Sequence, residues 1–113
     1  MRGFWRVASL AIVLGLGLSL VACGQVGKLQ GKRAFKDANV QYAQQEYKRA
    51  AVLYEEAIAA DPEIQYAYFF LANSYDNLYK PSRKGETDND AYLEKVIQFG
   101  GMALTPRPGV AND

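Results

Sequence analysis

The feature that most constrains the fold is a match of the sequence to itself at a spacing of 34 residues. The matching positions are Phe35, Ala38 and Asn39 in the segment FKDAN and Phe69, Ala72 and Asn73 in the segment FFLAN. Periods of about 20–50 residues are typical of arrays in which each unit buries its apolar face against the next. The sequence therefore predicts stacked units of similar structure.

The spacing of apolar residues predicts that these units are helical. Residues 34–61 contain no proline, and the run from Tyr47 to Ile58 places apolar side chains three and four positions apart. Pro62 should end this helix, because the residue before a proline disfavours the helical conformation. A second helix is predicted from about Glu63 to Tyr79, with aromatic residues on more than one side. The predicted fold class is all-α.

Two segments resemble parts of the tetratricopeptide repeat (TPR). EYKRAAVLYEEAIAADP is similar to the second helix of such a repeat, and YFFLANSY is similar to the first helix of the next. The positions that carry the resemblance are Tyr47, Ala50, Tyr54, Ala57 and Pro62, then Tyr68, Leu71, Ala72 and Tyr75. The resemblance implies a short solenoid of antiparallel helix pairs over residues 34–108, with residues 109–113 as a tail.

The second half of the second repeat is displaced along the chain. Lys95, Val96, Ile97, Ala103, Leu104 and Pro108 match Arg49, Ala50, Ala51, Ala57, Ile58 and Pro62 at a spacing of 46 residues. The polar segment 80–90 is therefore predicted to be an insertion, with Thr87 and Asp90 spaced like a helix N-cap and its third-position acid. Gly100 and Gly101 should weaken the last helix by roughly 1 kcal/mol each.

Only two repeats are visible, whereas about three are usually needed for a stable array. The chain is therefore interpreted as a truncated product, a fragment or a module that a partner completes.

Residues 1–22 are predicted to form a signal peptide. Arg2 and Arg6 precede a charge-free apolar run from Val7 to Val21. This run is shorter than the roughly 20 residues of a membrane span and suits a cleaved signal.

The end of the apolar run, with the letters LVAC at residues 20–23, resembles the lipobox of bacterial lipoproteins. The resemblance implies a lipid on Cys23 and a mature, membrane-anchored chain that faces the periplasm. Gly24 stands where an aspartate would indicate retention in the inner membrane, which favours the outer membrane. An ordinary signal peptide or a single membrane helix is the alternative. Residues 23–33 are predicted to be a flexible tether because they contain three glycines and little apolar content.

Composition argues against several kinds of chemistry. The chain has no histidine and a single cysteine, so it offers no His-based triad and no Cys and His zinc site. Without Arg2 and Arg6 the mature chain has 11 basic and 12 acidic residues, which does not suit nucleic acid as a partner. Residues 88–90 lack the spacing of a calcium loop. No enzymatic activity, cofactor or metal is expected.

A protein-binding surface is the expected functional site. In the tetratricopeptide family the first helix of each pair lines a concave groove, and the corresponding residues here are Lys32, Phe35, Asn39, Tyr42, Tyr66, Phe69, Asn73 and Asp76. The two asparagines suit the backbone of an extended peptide, because each amide both donates and accepts hydrogen bonds. The alternative is that Phe35 and Phe69 pack between helices and the asparagines are surface residues.

Two functions are consistent with these features. The first is a lipid-anchored interaction scaffold of the cell envelope that binds an unknown envelope protein or peptide. The second is a structural lipoprotein that associates with itself through the exposed faces of its short array. Repeats of this kind specify shape more than ligand, so the sequence does not identify the partner.

Overall fold

The computed structural model describes residues 24–105, and this part of the chain is all-α, as predicted. The first helix that the structure describes, α1, occupies residues 24–43, and residue 24 is the first described residue. It is followed by α2 (Tyr47–Ala60), α3 (Gln65–Leu78), a short 3-10 helix (Pro81–Arg83) and α4 (Thr87–Leu104). The predicted signal peptide, the lipidated Cys23 and the tail 109–113 lie outside the described residues.

The prediction of a flexible tether is wrong for residues 24–33, which are the first part of α1. Two of the glycines that suggested flexibility lie where this helix approaches the end of α2. A Cβ atom on Gly31 would lie 2.8 Å from Cβ of Asp61, and one on Gly27 would lie 3.2 Å from the carbonyl oxygen of Ala60. These glycines therefore permit close packing, which outweighs their low helix propensity.

Helices α1 and α2 form an antiparallel pair, because the start of α1 contacts the end of α2 while Tyr42 contacts Tyr47 at the other end. The two helices are joined by residues 44–46. Gln45 has a φ of 61°, in the left-handed region that non-glycine residues rarely adopt. Its N–H donates to the carbonyl oxygen of Tyr42, which closes the turn.

The predicted helix boundaries around Pro62 are confirmed to within two residues. Helix α2 ends at Ala60 with Asp61 in extended conformation, and α3 begins at Gln65. The Asp61 carboxylate accepts a hydrogen bond from the backbone N–H of Glu63 and so helps to close the turn between the helices.

The core lies between α1, α2 and α3. Its buried residues are mostly small, and Tyr54 and Leu71 are the largest: Ala38, Ala50, Ala51, Tyr54, Ala67 and Leu71. Alanines on facing helices allow a close approach, and the aromatic rings around them fill the remaining space. Helix α3 thus covers a surface that α1 and α2 form together.

The segment 80–90 is ordered by Asn89, which is buried. Its amide donates to the carbonyl oxygen of Lys80 (2.9 Å), and its Oδ1 accepts from the N–H of the same residue (2.8 Å). The prediction that Thr87 is a helix N-cap is wrong, because Thr87 is the first helical residue and Glu86 precedes it. Asp90 instead accepts hydrogen bonds from the N–H of Gly85, whose φ is 98°.

Helix α4 continues through Gly100 and Gly101 and packs antiparallel to α3. At one end of the pair Gln65 donates to the carbonyl oxygens of Met102 and Ala103, and at the other Lys80 contacts Asn89. Within residues 24–105, no helix combines the length and the apolar character that crossing a membrane requires.

Candidate functional site

The structure divides seven of the eight predicted groove residues between two regions, and the eighth, Lys32, is exposed on α1. Phe35 and Tyr42 belong to an aromatic cluster with Tyr54 and Phe70, which we call the first cluster. The ring centroids of Tyr42 and Phe70 lie 5.3 Å apart. The ring centroid of Tyr54 lies 5.9 Å from that of Phe35 and also 5.9 Å from that of Phe70. Phe35 and Tyr42 therefore pack between helices, which is the structural role that the sequence left open.

Asn39 forms a hydrogen bond with a residue of the first cluster. Its Oδ1 accepts a hydrogen bond of 2.6 Å from the hydroxyl of Tyr54, whose side chain is fully buried. Burial, and then the proximity of Tyr42, raise the pKa of Tyr54 above its ordinary value. A buried hydroxyl without a partner would be destabilising by roughly 1–3 kcal/mol, so Asn39 stabilises the fold by satisfying it.

The other residues lie near an apolar groove between α3 and α4. Its volume is about 370 Å3. It is lined by Phe69, Ala72, Asn73 and Asp76 from α3 and by Val96, Gly100, Ala103 and Leu104 from α4. The α3 residues are three or four positions apart and so share one side of the helix. We call this feature the α3/α4 groove.

Small residues form the floor of the α3/α4 groove, and large apolar side chains flank it. A Cβ atom on Gly100 would lie 3.9 Å from Cβ of Ala72, which is an ordinary contact distance. Phe69 and Leu104 are 54% and 86% exposed, respectively. Tyr66 is one turn before Phe69 and is also exposed, but it does not line the groove.

Polar groups are concentrated on the α3 side of the groove. Asn77 donates hydrogen bonds of 2.8 Å to both the side-chain and the backbone oxygen of Asn73. The side-chain oxygen of Asn73 therefore accepts one hydrogen bond within α3, and its amide N–H groups are donors available to a ligand. Among the described residues, Asp76 is the only charged one in the lining. The groove thus combines an apolar floor with one donor group and one negative charge.

A second aromatic cluster, formed by Tyr75, Tyr92 and Phe99, holds α4 against α3. The ring of Tyr75 lies 5.9 Å from that of Tyr92 and 6.2 Å from that of Phe99. The Tyr75 hydroxyl donates to Glu55 on α2. Burial first, and then this hydrogen bond and the charge of Glu55, raise the pKa of Tyr75. The second cluster therefore fixes the α4 side of the groove relative to the rest of the fold.

A larger depression, of about 460 Å3, lies where α1 and α2 meet. Its lining includes Glu46, Lys48 and Arg49, whose side chains are exposed, and the apolar Val52 and Leu53. None of the predicted partner-binding residues contributes to it. We therefore take the α3/α4 groove, which contains three of them, as the candidate site.

The four α4 residues of the groove were not predicted as binding residues. The match at 46 residues did contain a signal for them, because it pairs Val96 with Ala50 and Ala103 with Ala57. Ala50 and Ala57 are both fully buried in α2. Val96 and Ala103 match buried positions, but no described helix packs beyond α4, so they are candidates for a binding surface.

The groove has no arrangement that indicates catalysis. In the part of the chain that the structure describes, no three side chains of the types that ligate metals converge on one point. A scan against protein-family models and searches of curated proteins and of solved structures returned no match.

Proposed function

We propose that the protein is a lipid-anchored interaction scaffold of the bacterial cell envelope and binds a partner through the α3/α4 groove. The observation that carries the proposal is an equivalence between the two helix pairs. At the spacing of 34 residues, Phe69, Ala72 and Asn73 of the groove correspond to Phe35, Ala38 and Asn39 of the first pair. The second pair thus presents in open form a surface that the first pair uses for packing.

In the α1/α2 pair, the surface that corresponds to the groove is covered by α3. Leu71 of α3 is in the same buried cluster as Ala38 of α1 and Ala50 of α2, and Phe70 contacts Phe35. In the α3/α4 groove, Ala72 and Val96 are the residues equivalent to Ala38 and Ala50. An α-helix that presents apolar residues at three- and four-residue spacing would therefore fit the groove as α3 fits the first pair.

The remaining parts of the proposal rest on the sequence. The TPR-like repeat accounts for the period of 34 residues, and the lipobox-like LVAC segment supports lipidation of Cys23. The lipid would place the array on a membrane facing the periplasm, with the outer membrane favoured because Gly24 follows the cysteine. A binding role rather than an enzymatic one is consistent with the absence of histidine from the sequence.

A second function, self-association, is favoured by the outer face of α4. Leu93, Ile97 and Leu104 are all exposed on this helix, and Ile97 is 71% exposed. Large exposed apolar side chains next to an apolar groove are typical of protein interfaces. Two copies could pack α4 against α4, and the chain would then be a structural lipoprotein.

In-cell photo-crosslinking tests both functions. A photoreactive phenylalanine analogue replaces Phe69, and the crosslinked species in the membrane fraction are identified by mass spectrometry. The test variant is Gly100→Leu, which fills the groove. The matched control is Gly101→Leu, which adds the same side chain at a position where nothing lies within 4 Å of the new Cβ.

The proposal predicts one discrete envelope partner that is retained with Gly101→Leu and lost with Gly100→Leu. If the only crosslinks are between copies of this chain, and Gly100→Leu abolishes them, self-association would replace the proposed binding of a partner. If the crosslink to the partner is retained in both variants, the partner does not bind through the α3/α4 groove. Lipidation is tested separately by measuring the mass of the intact protein. The wild type should carry the added mass of the lipid, and Cys23→Ala should lack it.

A further inference from the structure

The outer face of α1 combines exposed apolar residues with a concentration of positive charge. Val26 and Leu29 are 51% and 53% exposed. Lys28, Lys32, Arg33 and Lys36 are exposed on the same helix. Helix α1 contains these four basic residues and one acidic residue, Asp37, whereas residues 44–113 contain seven basic and eleven acidic residues.

The packing of α1 fixes which of its sides faces outward. Gly31 and Ala38 are buried, and a Cβ atom on Gly31 would lie 2.8 Å from Cβ of Asp61. Successive residues of a helix are rotated by about 100°, so Leu29, Arg33 and Lys36 lie on the side opposite Gly31 and Ala38. Helix α1 therefore cannot turn its basic side inward without losing its contact with α2.

This combination suits the surface of a membrane. Lysine and arginine side chains are attracted to anionic phospholipid headgroups, and nearby apolar side chains can enter the boundary between headgroups and acyl chains. Basic amphipathic helices are typical of segments that lie on membranes. The cationic segment also begins directly after Cys23, the residue that would hold the chain to the bilayer.

We propose that the outer face of α1 binds the surface of a membrane that contains anionic phospholipids. Leu29 and Val26 contact the headgroup region, and Lys32, Arg33 and Lys36 pair with lipid phosphates. The inference rests on the proposed lipidation of Cys23 only for raising the concentration of α1 at the membrane, since the basic face should itself bind anionic vesicles. It is independent of the α3/α4 groove, which lies beyond α3 and away from this face.

Labels at two exposed positions test the proposal. The mature lipidated protein carries a polarity-sensitive fluorophore on Leu29→Cys or, as the matched control, on Val52→Cys of α2, which is 55% exposed. The lipid on Cys23 leaves the new cysteine as the only free thiol. Each protein is reconstituted into vesicles of phosphatidylcholine alone or of phosphatidylcholine mixed with phosphatidylglycerol. The lipid anchors the protein to both vesicles, so the comparison measures contact by α1 rather than attachment.

The expected result is a blue shift and protection from aqueous iodide at position 29 in the mixed vesicles only, with no change at position 52. The triple variant Lys32→Glu, Arg33→Glu, Lys36→Glu should abolish the shift while circular dichroism shows unchanged helix content. Equal emission at position 29 in both vesicles, or an equal shift at position 52, would overturn the proposal.

Failure of lipidation would be recognised separately. The mass of the intact protein reports whether Cys23 carries a lipid before reconstitution. An unlipidated protein is tested by sedimentation with the same two vesicles. Binding to the mixed vesicles that is lost in the triple variant would support the basic face, and no binding to either vesicle would overturn it.

Discussion

The two helix pairs are equivalent in register but differ in what packs on them. In the α1/α2 pair, Tyr54 is fully buried because α3 covers the surface. In the α3/α4 pair, Phe69 is half exposed because the groove beside it is open. One surface is therefore covered by α3 and stabilises the fold, whereas the other is open among the described residues. The pairs also differ in composition, because Gly100 stands at the position that matches Tyr54.

The largest expected effect compares one aromatic residue from each surface. Tyr54→Ala should lower the free energy of unfolding by roughly 3–5 kcal/mol, because it leaves a cavity in the first cluster. Phe69→Ala should lower it by only about 0.5–1.5 kcal/mol, because the side chain is half exposed and loses a ring contact with Phe70. Urea unfolding followed by circular dichroism measures both. Similar losses for the two variants would mean that the groove is already filled.

Two glycines provide the next comparison. Gly31→Ala should lower the free energy of unfolding by about 1–3 kcal/mol, because the added methyl group overlaps Asp61. Gly101→Ala should raise it by up to about 1 kcal/mol, because α4 gains helix propensity and the new Cβ has free space. Thermal unfolding compares the two variants with the wild type. A neutral Gly31→Ala would show that α1 is not held closely against α2.

The connections within the two pairs also differ. The first uses Gln45 at a φ of 61°, and the second uses Gly85 at a φ of 98°. Gln45→Gly should raise the free energy of unfolding by about 1 kcal/mol, and Gly85→Ala should lower it by a similar amount. The two variants are measured under the same denaturant conditions. Effects of the same sign would contradict the backbone argument.

The smallest expected effect is a dependence on pH shared by the two pairs. The pKa values of Tyr54 and Tyr75 are raised on folding, so both residues favour the folded state while they are protonated. Their contribution is fully present below about pH 10, the ordinary pKa of tyrosine, and is lost as the pH rises. Tyr75→Phe should therefore flatten the fall in stability above pH 10, as measured by urea unfolding across this range. Tyr54→Phe should do the same, and unchanged slopes in both would show that neither hydroxyl is shielded.

The sequence predicted the parts of the fold that local patterns determine. The apolar period placed α2 and α3, and Pro62 marked the break between them. The turn at Gln45 had no such signal, because neither glycine nor proline occurs there. The helical conformation of residues 24–33 was missed because Gly27 and Gly31 suggest flexibility in isolation. Their use is apparent only when α2 lies beside them.

The candidate site was predicted in part for a related reason. The residues Phe69, Asn73 and Asp76 were placed on a binding surface because of their position in the repeat. Phe35 and Tyr42 occupy equivalent positions but pack beneath α3. The sequence could not separate the two sets, because the difference depends on which pair of helices has a neighbour.

The helical conformation of residues 24–33 affects how far the protein could reach for a partner. A flexible linker of ten residues would have a root-mean-square length of about 17–19 Å and would let the groove sample a wide shell around its anchor. Because these residues are helical, a lipid on Cys23 would hold the groove at a nearly fixed distance from its anchor, which limits the height that the groove can reach above the membrane. A partner within that height would meet a high effective concentration of binding sites, and one beyond it would meet almost none. The height of a partner's binding segment above the membrane would then determine whether it can reach the groove, before any side chains are in contact.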